Sequence, residues 1–280
     1  MTLSLIGKTI VVTGATSGIG LATASELARG GAHVIGIGRS PRRCADAART
    51  LGTRYLVADL ALQSEVRRVA GDIRGLTPKL DGLVNNAGAF SYWFNLTPEG
   101  FESQWALNHL APFLLTLELL PLLQLAGRAH IITVSSESHA HTRMNWSDIQ
   151  LRRHYNGLQA YKQTKMANVL LSVALNQRLG AESGVRAFAA DPGLVKTDIG
   201  FKGTPGIARW VWGRRKAMGT SPEEAAKGII RLFREATLVD ASQVYWRHGE
   251  PRQPDPRAVD PANAERLWTM SARMCGLEEH

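Results

Sequence analysis

Short apolar runs alternate with amphipathic stretches along about two thirds of the chain. Near-continuous apolar runs fall at 8–13, 32–37, 54–57, 81–84, 128–134 and 185–190, and their length and β-branched content predict strands. Between them the apolar spacing predicts helices at 18–29, 42–51, 63–74, 99–125 and 157–180. A run such as His130-Ile131-Ile132-Thr133-Val134 is apolar on both faces, as a parallel strand covered by helices on each side must be. The expected fold class is therefore α/β, a doubly wound parallel sheet in three α/β/α layers. Beyond Gly193 the pattern loosens into a Gly-, Trp- and Arg-rich stretch to Gly219. A helix over 222–235, a strand at 243–246 and a last helix at 262–275 follow. With no linker or shift of composition, residues 1–280 are expected to form one domain, with a substrate lid around 194–218.

Composition narrows the class without fixing it. Hydrophobic content of 44% and 20% charged residues are ordinary for a soluble domain. The amino terminus shows no basic region followed by an apolar core, and Leu110 to Ala126 is interrupted by Pro112, Glu118, Pro121 and Gln124. A cytoplasmic protein without stable membrane insertion is expected, with 110–126 as a buried helix. Cys44 and Cys275 match no metal or redox spacing, and His130, His139, His141 and His154 lack supporting carboxylates, so no metal site is expected. The net charge of +9 suits an attraction for anionic cofactors. No nucleic-acid signature accompanies it, and no nucleic-acid partner is expected.

The most informative stretch is Ile10-Val11-Val12-Thr13-Gly14-Ala15-Thr16-Ser17-Gly18-Ile19-Gly20. A strand that breaks at glycine and restarts as a helix sets unpaired N–H groups beside a positive helix end, a ready site for a pyrophosphate. Gly14, Thr16, Ser17, Gly18, Ile19 and Gly20 are the candidate contacts. At the end of the second strand, where an acid would bind a ribose 2′-hydroxyl, the chain has Gly38-Arg39-Ser40. A guanidinium there suits a 2′-phosphate, so Arg39 favours NADP(H) over NAD(H), and Arg42 and Arg43 are placed to share the role.

This turn resembles the cofactor turn of the short-chain dehydrogenase/reductases, whose Rossmann-type landmarks follow in order over residues 5–200. They are Asp59-Leu60, Asn85-Asn86-Ala87-Gly88, Ser136, Tyr161-x-x-x-Lys165 and Pro192-Gly193. The resemblance implies that Asp59 and Leu60 meet the adenine and that Asn86, Ala87 and Gly88 line the adenosine side. It further implies that Pro192, Gly193, Val195 and Thr197 meet the nicotinamide carboxamide, with Tyr161 and Lys165 at the cofactor ribose.

Tyr161 and Lys165, four residues apart on a predicted helix, share one face. A tyrosine used as acid and base near neutrality needs its pKa lowered by about three pH units, roughly 4 kcal/mol. A cation about 4–5 Å away supplies roughly 3–4 kcal/mol. Ser136 follows the fifth strand and can reach the reacting oxygen. Its neighbour Ser135 competes for the role, and the family pattern favours the second serine. Asn108 matches the family's fourth catalytic position. Pro112, lacking an N–H, leaves the Asn108 carbonyl without its helical partner, which predicts a kink able to hold a water.

Aromatic and bulky apolar residues crowd three segments expected to rim a pocket: Phe90, Tyr92, Trp93 and Phe94; His139, His141, Met144, Trp146 and Tyr155; and Phe201, Trp210, Val211 and Trp212. Ser136, Tyr161, Phe90, Trp93, Trp146 and Phe201 are the candidate substrate contacts. Such density suits a bulky lipophilic small molecule, and equally suits loop anchoring or a subunit contact. The basic stretch 206–216 fits a mobile lid, or a peripheral membrane contact. The long Ser136–Tyr161 interval, Phe101-Glu102 and Asn108-His109-Leu110 resemble the retinol-dehydrogenase-like branch. That resemblance implies hydride transfer between NADP(H) and a lipophilic ketone, aldehyde or alcohol. Resemblance to the wider family implies a homodimer through helices 99–125 and 157–180, a surface that varies within this branch. A cofactor-binding redox sensor or scaffold with little catalysis is the alternative reading.

Overall fold

The computed structural model describes residues 4–196, 219–235 and 243–277. The chain runs β1 (Thr9–Thr13), α1 (Gly18–Arg29), β2 (His33–Gly38), α2 (Pro41–Leu51), β3 (Arg54–Val57), α3 (Gln63–Leu76) and β4 (Gly82–Asn85). Helix α4 (Ser103–Leu125), β5 (Ala129–Val134), α5 (Gly157–Leu179), β6 (Val185–Asp191) and α6 (Pro222–Glu235) follow. The hairpin β7 (Tyr245–Arg247) and β8 (Glu250–Pro251) leads to α7 (Pro261–Met274). The sheet order is β3-β2-β1-β4-β5-β6-β7-β8, parallel except for the last pair. The order reverses between β1 and β4, and ligands bind at the carboxyl ends of the strands flanking such a reversal.

Period-two alternation sorts the strand side chains to two cores. Val11, Leu83 and Ile131 face a cluster with Val69 of α3, Leu114 of α4, Leu170 of α5 and Leu267 of α7. Ile10, Val12, Val84 and Ile132 face the other side, with Leu27 of α1 and Ile229 and Phe233 of α6. His130 sits in that second layer with its ring 5.8 Å from Phe188 and 5.9 Å from Phe233, and burial brings its pKa down to about 4. Among the described residues, no group of three or more His, Cys, Asp or Glu is arranged to hold a metal.

Helix α4 departs from its expected form twice. It starts at Ser103, not 99, because the Glu102 carboxylate accepts from the N–H groups of Gln104 and Trp105 and caps it. Gly100, at φ +84, turns the preceding loop. The helix then widens into a π turn over Ala106–Leu110, closed by the Ala111 N–H on the Ala106 carbonyl. The irregularity is thus an i→i+5 turn just before Pro112, rather than a simple proline kink. By mean hydropathy α4 passes for a membrane span, contrary to the reading from its interrupting residues, but 72% of that window is buried in the core.

Helix α7 lies across α4 and α5. Trp268 packs edge-on to Phe113 at 5.0 Å, and Arg178 stacks 3.9 Å over Trp268 while pairing with Glu265. It covers part of the two helices on which the expected dimer relied. The strand expected at 243–246 is shorter and shifted, and its partner β8 has no counterpart in the hydrophobic pattern.

Candidate active site

The glycine turn is braced by protein hydrogen bonds. The Thr13 hydroxyl accepts the N–H groups of both Asn86 and Ala87 at 2.9 Å, tying the end of β1 to the end of β4. The Asn86 amide donates to the Thr13 carbonyl at 2.8 Å, so its side chain braces the turn. A Cβ on Gly20 would lie 2.3 Å from the Gly14 carbonyl oxygen and 2.4 Å from Asn86 Nδ2, closer than atoms pack. Gly14 and Gly18 hold φ of +64 and +52. Ser17 precedes α1 without a side-chain cap, which leaves the first-turn N–H groups facing outward from a helix end of positive potential. Thr16 and Ile19 are half-buried beside it. Close backbone approach with uncapped donors fits a dinucleotide pyrophosphate.

Arg39 stands just past β2, 70% exposed, with its guanidinium 3.8 Å from Asp59. That separation makes a loose pair, free to exchange for a phosphate. Arg42 is more exposed and weakly paired with Asp46. Asp59 also accepts from the Ala61 N–H at 3.2 Å, and Leu60 is buried beneath it. Tyr55 donates its phenol to the Ala15 carbonyl at 2.9 Å and pins the turn from below. No pattern had singled out Tyr55.

Helix α5 carries Tyr161 and Lys165. Lys165 is 3% exposed and its Nζ lies 5.3 Å from the Tyr161 ring centroid. The ammonium donates to the Val134 carbonyl at 3.1 Å. Burial brings its pKa down to about 8, against a counter-effect from the Asp191 carboxylate. Burial also pushes Tyr161 above its ordinary value, and the same carboxylate adds to the rise. Burial thus works against the lowering expected from the Lys165 ammonium.

Asn108, fully buried on the π turn, accepts the Ala89 N–H at 2.8 Å and donates to the Ala89 carbonyl at 2.9 Å. A further contact at 3.3 Å reaches Thr164 Oγ1, so one side chain joins the loop after β4 to α5. Gly88 passes beneath it; a Cβ there would sit 3.3 Å from Asn108 Oδ1 and 3.8 Å from Lys165 Nζ.

The serines separate by their bonds. Ser135 is buried and spends its hydroxyl on the Lys165 carbonyl at 2.7 Å. Ser136, half-buried, opens the turn over Glu137–His141 and accepts from the Ser138 N–H at 3.3 Å. His139 steadies it: its Nδ1 lies 2.8 Å from the Ser136 carbonyl, and its Nε2 accepts the Asp255 N–H at 3.2 Å. The proton therefore sits on Nδ1, which donates to Ser136, and burial lowers the His139 pKa so that the ring stays neutral.

Around this group, Phe90 is buried with its ring 5.9 Å from Tyr161, while Trp93 is 62% exposed. Trp146 packs instead against the first core, with Arg266 of α7 4.8 Å over its ring. Pro192 and Gly193 follow β6, with Gly193 at φ +74 and its N–H on Asp191 at 2.7 Å. Val195 bridges to Thr220, which brings the two ends of the expected lid together. Thr197, Phe201, Trp210, Trp212 and the segment 206–216 lie outside the described residues. Asp191 and His139 carried no catalytic reading, although an acid directly after the apolar run Ala187–Ala190 was itself a signal.

A doubly wound sheet with a glycine turn, a Tyr-x-x-x-Lys pair on one helix and a serine at the sheet edge defines a class of dinucleotide-dependent oxidoreductase. Residues 8–205 match the family model described as short chain dehydrogenase. The chain belongs to the short-chain dehydrogenase family, in its retinol-dehydrogenase-like branch. It is 36% identical to retinol dehydrogenase 13 of Homo sapiens, over 97% of this chain and 86% of that protein. It is 33% identical to retinol dehydrogenase 14 of Mus musculus, over the same shares. A crystal structure of an uncharacterised protein from Mycobacterium paratuberculosis superposes with a TM-score of 0.78 at 35% identity, covering 99% of this chain and 96% of that one. Members of the family use a nicotinamide dinucleotide, NAD(H) or NADP(H).

Proposed function

We propose that the protein is an NADP(H)-dependent oxidoreductase of lipophilic ketones, aldehydes or the corresponding alcohols, acting in the cytoplasm. The observation that supports the reading is Lys165 beside Tyr161 and, across Gly88, Asn108, on a sheet whose fifth strand leads into Ser136 and whose first ends in a turn with uncapped N–H donors. Gly14, Ser17, Gly18 and Gly20 would hold the pyrophosphate, Asp59 and Leu60 the adenine side, and Lys165 the nicotinamide ribose. The bound nicotinamide supplies or accepts the hydride at the carbinol carbon.

Ser136 donates a hydrogen bond to the substrate oxygen and fixes its position. Tyr161 exchanges the proton on that oxygen. In carbonyl reduction its phenol would give up the proton that the substrate oxygen gains, and in alcohol oxidation it would take that proton back. Asn108 holds the Ala89 backbone against α5 and keeps the lysine side of the site closed. Phe90 offers an apolar wall next to Tyr161, and relatives named for retinol direct attention to long apolar alcohols and aldehydes.

Support for the phosphorylated cofactor comes from Arg39, loosely held at the end of β2 with no acid in the ribose position. NADPH is expected to bind at least tenfold tighter than NADH, and Arg39→Asp to erase the difference, as read by cofactor fluorescence titration. Tighter NADH binding by the parent contradicts the assignment. NADPH consumption with aromatic ketones, long-chain aldehydes and retinal tests the substrate class.

A further inference from the structure

We propose that Asp191 is a positioning residue: its buried carboxylate clamps the nicotinamide-side turn to the β7–β8 hairpin, one register step from the strand position that anchors Lys165. The proposal rests on the function above, and its reasoning begins with register. Lys165 Nζ bonds the carbonyl of Val134, and the β6 partner of Val134 is Ala190. Asp191 is the next residue. Its carboxylate therefore ends β6 one step beyond the strand position that anchors the lysine.

Three carboxylates are buried among the described residues: Asp81, Glu102 and Asp191. Asp81 pairs with Lys8 at the amino edge of the sheet, and Glu102 caps α4. Asp191, 2% exposed, stands at the carboxyl edge. Such a charge persists only with donors around it. One oxygen accepts the Gly193 N–H at 2.7 Å, and the other accepts the Tyr245 phenol at 2.8 Å, with Arg247 Nε at 3.7 Å. The Asp191 backbone carbonyl also accepts the His248 N–H, and a Cβ on Gly193 would strike the His248 ring. The turn beginning at Pro192 is thus locked to the β7–β8 hairpin through this one residue.

Among the described residues, the titratable groups that sense the carboxylate are Tyr161 and Lys165 from α5, Tyr245 and Arg247 from β7, and His139 from the turn after Ser136. Arg247 is itself shared with the exposed Glu137. The carboxylate favours the protonated forms of both Lys165 and Tyr161, and opposes the desolvation that lowers the lysine. Removing the charge therefore lowers the Lys165 midpoint. Removing Arg247, which partly neutralises Asp191, raises it.

The test follows Lys165 in the cofactor-free full chain by the NMR shift of its ε-carbon, assigned with Lys165→Arg. Asp191→Asn keeps the volume and an acceptor for Gly193. It should lower the midpoint, about 8 in the parent, by about 0.5 pH unit or more. Arg247→Gln, at a partly exposed site, should raise the midpoint. Tyr245→Phe, which keeps the charge, should leave it within about 0.2 pH unit. Asp191→Ala, which also frees Gly193, should weaken cofactor binding about tenfold. An unchanged midpoint in Asp191→Asn, or a fall in Arg247→Gln, overturns the proposal. If Asp191→Asn does not fold, Arg247→Gln decides alone. Loss of carbonyl turnover in every assay would instead count against the proposed function, and would leave the lysine titration readable.

Discussion

At the scale of single residues, the site depends on side chains that meet no ligand. Thr13 is the clearest: one hydroxyl accepts two backbone N–H groups and donates to the Val84 carbonyl. Thr13→Val keeps the shape and strands both donors, each costing about 1–3 kcal/mol when buried without a partner. Thermal unfolding should shift down by roughly 4–8 °C, and cofactor binding should weaken with it. Gly20→Ala is stricter, because its Cβ has no space between the Gly14 carbonyl and Asn86. The variant should lose cofactor affinity by more than tenfold while keeping its secondary structure by circular dichroism. Near-parent affinity in Gly20→Ala contradicts the role given to close backbone approach. The glycine pattern and the Tyr161–Lys165 spacing were legible because each has a fixed local geometry. Asp191 and His139 were not, since their partners Tyr245 and Asp255 lie more than fifty residues away in the chain.

Among elements, the strands were the most legible part of the chain, for a physical reason. Burial on both faces leaves little choice but apolar residues, and β1, β3 and β5 fall within a residue of their expected bounds. The start of α4 was misread because glutamate is an uncommon cap, and Glu102 caps only by being buried with Tyr155 donating to it. The π turn has no hydrophobic signature at all. It sets the height of Asn108, whose two bonds hold Ala89. Asn108→Ala should raise amide exchange in residues 87–92 by an order of magnitude while leaving exchange in β1 and β5 unchanged. Equal exchange in that loop would mean that Asn108 does not tether it. The β7–β8 hairpin was missed because two- and three-residue strands carry too few positions for any period to register.

At the scale of the whole molecule, buried histidines tie stability to pH. Burial sets His109 at about 3 and His130 at about 4, against about 6.5 in an unfolded chain. Below pH about 6.5 the unfolded chain takes up protons that the folded one refuses, so stability falls as pH falls, and continues to fall until the folded values are reached. Each histidine contributes about 1.4 kcal/mol per pH unit in that window. Urea midpoints should therefore drop between pH 6 and 4.5, and His130→Phe should flatten the slope. A slope unchanged by that substitution would remove His130 from the account.

The central claim concerns chemistry, and Tyr161→Phe tests it most directly. The substitution removes one oxygen and leaves the ring packed against Phe90 and under Lys165. With NADPH and a carbonyl substrate that the parent reduces, turnover should fall at least a thousandfold while the NADPH dissociation constant stays within threefold. Turnover within tenfold of the parent, at equal cofactor affinity, would contradict Tyr161 as the proton donor and with it the mechanism proposed for this site.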